Sequence, residues 1–180
     1  SEISLILPEM LAATSIIKRH DPNLNFVLPA VPHLLPLIES LVEGSGVTIL
    51  DQPEDLIPAL QTSDAMIATS GTITLQAALC GTVGVTCYLT GAFSGFIGRR
   101  LVDLDKVILP NAILDRPLYP FYFQEAATGK TLAAATLDCL YDANAKSSAR
   151  HAAIELKGLL TGGAQSFDEL VISALNNWLD

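Results

Sequence analysis

Hydrophobic positions along the chain follow two alternating rhythms. Residues 4–19 carry Leu7, Leu11 and Ala12 on one helical face, with Pro8 expected to kink that helix or delay its start. Apolar runs of strand length then recur at 24–28, 47–50, 65–68, 83–88 and 107–109. Between them lie stretches of helical spacing. Pro32 opens one at 33–43, and another runs from Pro53 through Gln61. A third spans 74–80, with Leu75 and Leu79 four apart and Gly81 where a helix C-cap belongs. A fourth covers 92–102 and ends near Arg99 and Arg100. Residues 113–123 read as irregular, interrupted by Pro117 and Pro120. Three helices, 131–143, 147–160 and 167–179, close the chain.

Strict alternation of strand and helix from 24 to 109 predicts an α/β domain. Right-handed crossovers make its sheet parallel and Rossmann-like, with helices on both faces. The expected boundary falls at 128: residues 1–128 form the α/β unit, and 129–180 supply helices that complete or bridge it. Ligands of such sheets sit beyond the C-terminal strand ends. Five loops are expected there: 29–33, 51–55, 69–74, 89–92 and 110–114.

Composition narrows the class. Half of the 180 residues are apolar and 16% are charged, yet no apolar run approaches the roughly 20 residues that span a bilayer. No charged stretch precedes an apolar one in the pattern of a signal peptide. The formal net charge of −9 argues against nucleic acid as a partner. Cys80, Cys87 and Cys139 are odd in number, lack zinc-ligand spacing and read as reduced, buried thiols. Ser1-Glu2-Ile3 has no initiator Met and reads as the opening of a helix, so the chain is expected to be a fragment or excised domain.

The most informative stretch is 63–81. A short apolar strand runs into Ser70-Gly71-Thr72, small residues that turn the chain into a helix. Such a turn points free N–H groups and the positive helix end beyond the strand, where a phosphate is the commonest guest. Simple turn chemistry in any α/β domain is the competing reading. Gly-x-Gly-x-x-Gly is absent, and Gly129-Lys130-Thr131 lacks the upstream glycine and strand of a Walker A loop. Dinucleotide cofactors and ATP motors are therefore disfavoured.

Ser70-Gly71-Thr72-Ile73-Thr74-Leu75 resembles the SGTATLE motif of lipid-A-disaccharide synthases, inverting glycosyltransferases of GT-B fold. Other segments are similar to that family in the same order. Ser1-Glu2-Ile3, Leu5, Leu7 and Pro8 match the tail of LPGSRxSEIxxLLP; Phe26-Val27-Leu28-Pro29 with Pro32-His33 match its second-strand region. Arg99-Arg100-Leu101-Val102 match its basic pair. Leu109-Pro110-Asn111 with Ile113, Leu114 and Arg116 match LPNILxGR, and Tyr119-Pro120 with Gln124 match VPExxQ.

The resemblance implies the C-terminal, donor-binding domain of such an enzyme. The family moves 2,3-diacylglucosamine from UDP to 2,3-diacylglucosamine 1-phosphate without a bound metal or other cofactor. Implied partners are the lipid donor, the phosphorylated acceptor, the enzyme's own N-terminal domain and a second copy in a homodimer. The general base belongs to the N-terminal domain, so this chain carries no catalytic residue and is expected to be inert alone. The whole enzyme is expected in the cytoplasm, peripheral at the inner membrane. Implied donor contacts are Ser70, Gly71, Thr72, Thr74, Asn111, Arg99 and Arg100. Gln76 is assigned to the ribose, although the family usually has Glu there. Gln52 and Pro53 stand where GT-B proteins hold the base. Phe121 and Leu89 replace an expected Glu and cation. Two other readings stay open: a different UDP-N-acetylglucosamine enzyme, transferase or 2-epimerase, and a non-catalytic dimerisation module.

Overall fold

The structure, a computed structural model, describes residues 2–90 and 107–162. The predicted helices 92–102 and 167–179 lie outside the described residues. Helix α1 spans Glu2–His20, with Pro8 inside it. Strand β1, Val27–Pro29, leads through a 3₁₀ turn, Pro32–Leu34, into α2, Leu35–Val42. Strand β2, Thr48–Leu50, leads through Pro53–Asp55 into α3, Leu56–Thr62. Strand β3 is Met66–Thr69, α4 is Thr72–Cys80 and β4 is Gly84–Tyr88. Then come α5, Leu109–Leu114, and β5, Phe121–Phe123. Helices α6, Gly129–Tyr141, and α7, Ala143–Thr161, follow.

All strand pairing is parallel, but it falls into two groups. β1 pairs with β2, and β3, β4 and β5 pair in that order. On one face, Ile6, Ala13 and Ile17 of α1 meet Leu132 and Ala133 of α6 over Val85 and Cys87 of β4. Leu7 of α1 joins Ile38 and Val42 of α2 in an adjoining cluster. The other face is built from α3, α4, α5 and α7, through Leu60, Ala77, Ala78, Leu114, Ala152 and Leu156, against Met66 and Ala68 of β3. Alternation along β3 and β4 sends successive side chains to opposite faces. Each fully buried Leu or Ile here contributes about 1.5–3 kcal/mol.

Two expectations are corrected. Residues 107–109 form no strand: Ile108 is buried, Leu109 begins α5, and Pro110 occupies that helix's first turn, where its missing N–H costs nothing. The fifth strand is Phe121–Phe123, inside the stretch expected to be irregular. Its predecessor Pro120 offers a carbonyl that accepts from the Thr86 N–H and the Thr86 hydroxyl, both at 2.9 Å. Pro120 thus contributes the acceptor that proline retains.

Packing also sets the join between chain ends. Gly129 opens α6 so close to α1 that a Cβ there would stand 2.6 Å from Ala12 Cβ and 3.1 Å from the Ala13 nitrogen and the Glu9 carbonyl. The Gly129 N–H donates to Glu9 Oε2 at 2.6 Å, placing a carboxylate at the start of α6, where the helix dipole favours it.

Candidate functional site

The strand ends converge on one side of the molecule. Tyr88, last in β4, donates its hydroxyl to Glu2 at the start of α1. At the other end of α1, Lys18 Nζ donates to the Leu24 carbonyl just before β1. α1 therefore runs against both strand groups, and their C-terminal ends face the same way.

At this edge β3 turns into α4 through Ser70 and Gly71. Gly71 sits at φ 143°, ψ −169°, a conformation that side-chain-bearing residues rarely adopt, and the space beside its Cα is open. No side chain caps α4. Its first N–H groups have no partner within the helix, so they point outward with the positive end of the helix dipole. Thr72 is exposed, and Ser70 and Gln76 are half-buried; no hydrogen bond engages their side chains among the described residues. These three offer hydroxyls and an amide beside the turn.

Thr74 is different. It is fully buried, and its hydroxyl and N–H both donate to the Gly71 carbonyl, at 2.7 and 3.1 Å. It shapes the turn and has no hydroxyl proton left for a guest.

The expected loop 110–114 is helical, and with it Asn111 turns inward. Asn111 is 5% exposed; Oδ1 accepts from the N–H of Leu118 at 2.9 Å and of Tyr119 at 3.0 Å, and Nδ2 donates to the Tyr119 carbonyl at 2.9 Å. Its amide builds the 111–119 corner and is spent on the backbone, where the resemblance implies a donor contact. Arg116 is likewise engaged, in a two-pronged pair with Glu155 of α7. Gln52 donates to Asp51 Oδ1 at 3.1 Å, and Pro53 opens the 3₁₀ turn after β2, so both stand just past the C-terminal end of that strand. Arg99 and Arg100 lie outside the described residues.

Sequence reasoning assigned no role to the contact between Thr90 and Gln124. Gln124 follows β5 with φ 52°; its amide donates to the Thr90 carbonyl at 3.2 Å and accepts from the Thr90 N–H at 3.4 Å. One side chain thus ties the chain leaving β4 to the end of β5. The signal was Gln124 itself, an amide just past an aromatic strand.

Titratable groups near the sheet are muted. Burial pushes the Cys87 thiol up to about 12 and the Cys139 thiol up to about 11. All three cysteines are free; Cys87 is buried, whereas Cys80 and Cys139 are half-buried. No cluster of three His, Cys, Asp or Glu suited to a metal occurs among the described residues.

What remains at the strand ends is an uncapped helix start, a glycine turn with room beside it, and free hydroxyl and amide side chains. Among the described residues, that arrangement suits an anion and hydroxyl groups. The profile of the lipid-A-disaccharide synthetase family matches residues 1–171. The chain belongs to that family. It is 36% identical over 180 residues to the lipid-A-disaccharide synthase of Paraburkholderia phytofirmans, covering 97% of this chain and 46% of that protein. The synthase of Burkholderia lata is 38% identical over 146 residues, covering 79% and 37%. That of Nitrosococcus oceani is 29% identical over 177 residues, covering 97% and 46%. The chain thus spans less than half the length of these synthases. No solved structure matches. Membership agrees with the parallel α/β architecture, and no helix among the described residues is long and apolar enough to cross a membrane.

Proposed function

We propose that this chain is the donor-binding part of a lipid-A-disaccharide synthase. In the whole enzyme, an acceptor hydroxyl attacks the anomeric carbon of UDP-2,3-diacylglucosamine. A new C–O bond forms as the bond to the UDP oxygen breaks, the configuration inverts, and UDP leaves. The acceptor is 2,3-diacylglucosamine 1-phosphate, and its proton passes to a base supplied by the preceding domain. The enzyme acts at the cytoplasmic face of the inner membrane as a peripheral protein, and a homodimer is one assembly it is expected to form.

The observation that carries this reading is the turn from β3 into α4. A departing diphosphate needs fixed donors, and donors already in place need no reorganisation when charge develops. Uncapped N–H groups of α4 and the hydroxyls of Ser70 and Thr72 supply them without a metal. Gln76, one turn on, meets the ribose hydroxyls through a neutral amide, a weaker contact than a carboxylate makes. Gln52 and Pro53 border the base. Thr74 and Asn111 act behind the site by holding the backbone.

Calorimetric titration of UDP into the full-length protein tests this. Thr72→Ala removes a hydrogen bond to a charged group and weakens UDP by about ten-fold or more. Gly71→Val places a side chain in the open space and weakens it at least as far. Unchanged affinity in both variants would place the nucleotide elsewhere and end the proposal.

A further inference from the structure

The parallel ladder between β4 and β5 is continued past its last backbone pair by a side chain. Even-numbered residues of β4 turn their N–H groups toward β5: the Thr86 N–H reaches the Pro120 carbonyl, and Thr86, Cys87 and Tyr88 stand opposite Phe121, Tyr122 and Phe123. Carried on to residue 90, this register would send the Thr90 N–H to the Gln124 backbone carbonyl. Gln124 sits at φ 52°, uncommon for a residue with a side chain, and its carbonyl accepts instead from the Ala127 N–H at 2.8 Å. The Gln124 side-chain amide takes the vacated place, accepting the Thr90 N–H and donating to the Thr90 carbonyl. It pairs with both backbone groups of Thr90, as a neighbouring strand would, and keeps residue 90 in line with β4.

That alignment places a hydroxyl. Val85, Cys87 and Leu89 all pack on the face of α1 and α6, so alternation sends Thr90 to the opposite face, the one that α4 covers with Ala77 and Ala78. Thr69 of β3 stands opposite Cys87, so Thr72 and Thr90 lie equally far past that pair, on neighbouring chains. Thr90 therefore stands beside the turn that opens α4. Both bonds to Gln124 use the Thr90 backbone, and the Thr90 hydroxyl has no partner among the described residues.

Building on the donor-binding reading, we propose that the Thr90 hydroxyl is a further contact to the diphosphate of a nucleotide held at the 70–72 turn, and that Gln124 is the positioning residue that sets it there. A diphosphate oxygen accepts the hydroxyl proton while the α4 N–H groups approach from the adjacent loop. The amide clamp fixes residue 90 before the nucleotide arrives, so less ordering is left to binding. The strained φ of Gln124 is what frees that amide's place, a kind of strain that persists where the surroundings over-determine it.

Calorimetric titration of UDP into the full-length protein tests this as a double-mutant cycle. Thr90→Val keeps the size but not the hydroxyl and should weaken UDP about tenfold; Thr90→Ser should bind within about threefold of the parent. Gln124→Ala should weaken UDP roughly three- to tenfold in the parent and less than about twofold in the Thr90→Val background, because the amide acts through that hydroxyl. Gln124→Gly, which accepts the same φ, takes the place of the alanine variant if the latter does not fold. Unchanged affinity in Thr90→Val or in Gln124→Ala, no rescue by serine, or equal losses from Gln124→Ala in both backgrounds would overturn the proposal. If Thr72→Ala weakens UDP while Thr90→Val does not, the donor-binding reading stands and the role of Thr90 falls. No UDP binding by the parent ends both.

Discussion

Asn111 holds both backbone groups of Tyr119: its amide oxygen accepts the Tyr119 N–H and its amide nitrogen donates to the Tyr119 carbonyl. Tyr119 in turn donates its hydroxyl to the Thr82 carbonyl at 2.7 Å, linking α5 and the chain before β5 to the chain before β4. Asn111→Ala strands these buried groups and costs about 2–3 kcal/mol, whereas Tyr119→Phe costs about 1–2 kcal/mol. Urea denaturation of the full-length protein should show lower midpoints at unchanged slope. UDP affinity of the still-folded Asn111→Ala protein should stay within about twofold of the parent, unlike that of Thr72→Ala.

Burial makes Cys87 a poor thiolate. Its pKa rises from 9.0 to about 12, so at pH 8 it should resist a thiol reagent until the protein unfolds. The sign for stability follows from linkage. Below pH 9 the thiol is neutral in both folded and unfolded chains; between pH 9 and 12 only the unfolded chain ionises, and stability falls as pH rises. Tyr119 is shifted upward by burial too and adds to the loss at its alkaline end. Denaturation midpoints measured from pH 8 to 11 should decline, and Cys87→Ala should flatten part of that decline.

Gly129→Ala drives a methyl group into Ala12 and the α1 backbone. Backbone cannot move aside as a flexible side chain can, so the change should cost about 1–3 kcal/mol by overpacking. Gly158→Ala, where nothing lies within 4 Å, should leave the protein unchanged or slightly more stable, since alanine suits a helix interior. Thermal midpoints of the two variants separate close approach from glycine content.

The Arg116–Glu155 pair joins the end of α5 to α7 in the open, with both side chains 45% exposed. The hydrogen bond to Arg116 holds the Glu155 carboxyl below its ordinary range. Whatever the pair contributes is therefore present above pH 4.5 and lost as pH falls through the lowered value. Arg116→Ala should change stability little, less still in high salt, and should leave UDP affinity unaltered.

Much of this architecture was legible because local and global signals agree. At 63–81 a strand-length run, a small-residue turn and a helix ending on Gly81 all name the same unit, and Gly81 does take φ 74° as the cap of α4. Residues 107–109 misled because a three-residue apolar run fits a strand or a helix start equally well. Pro110 marked the helix. The last strand among the described residues hid among prolines, although Phe121-Tyr122-Phe123 had the aromatic composition strands favour. At the candidate site, Ser70, Gly71 and Thr72 stand out in the sequence through their turn. Asn111 and Thr74 carry the same polar chemistry but spend it on the backbone, a distinction only burial and partners reveal. Strand order was likewise hidden, since alternation fixes handedness but not which edges meet.

The contact between Glu9 and Gly129 joins positions 120 residues apart. On the ribosome, α1 emerges first and α6 among the last of these elements. At about 5–20 residues per second, the interval between them is roughly 6–24 s. Throughout that wait the apolar stripe of Ile6, Ala13 and Ile17 lacks its α6 partners Leu132 and Ala133. Nascent chains of this protein therefore spend many seconds with part of the apolar face of α1 uncovered, and the early part of the chain depends on a latecomer to close it.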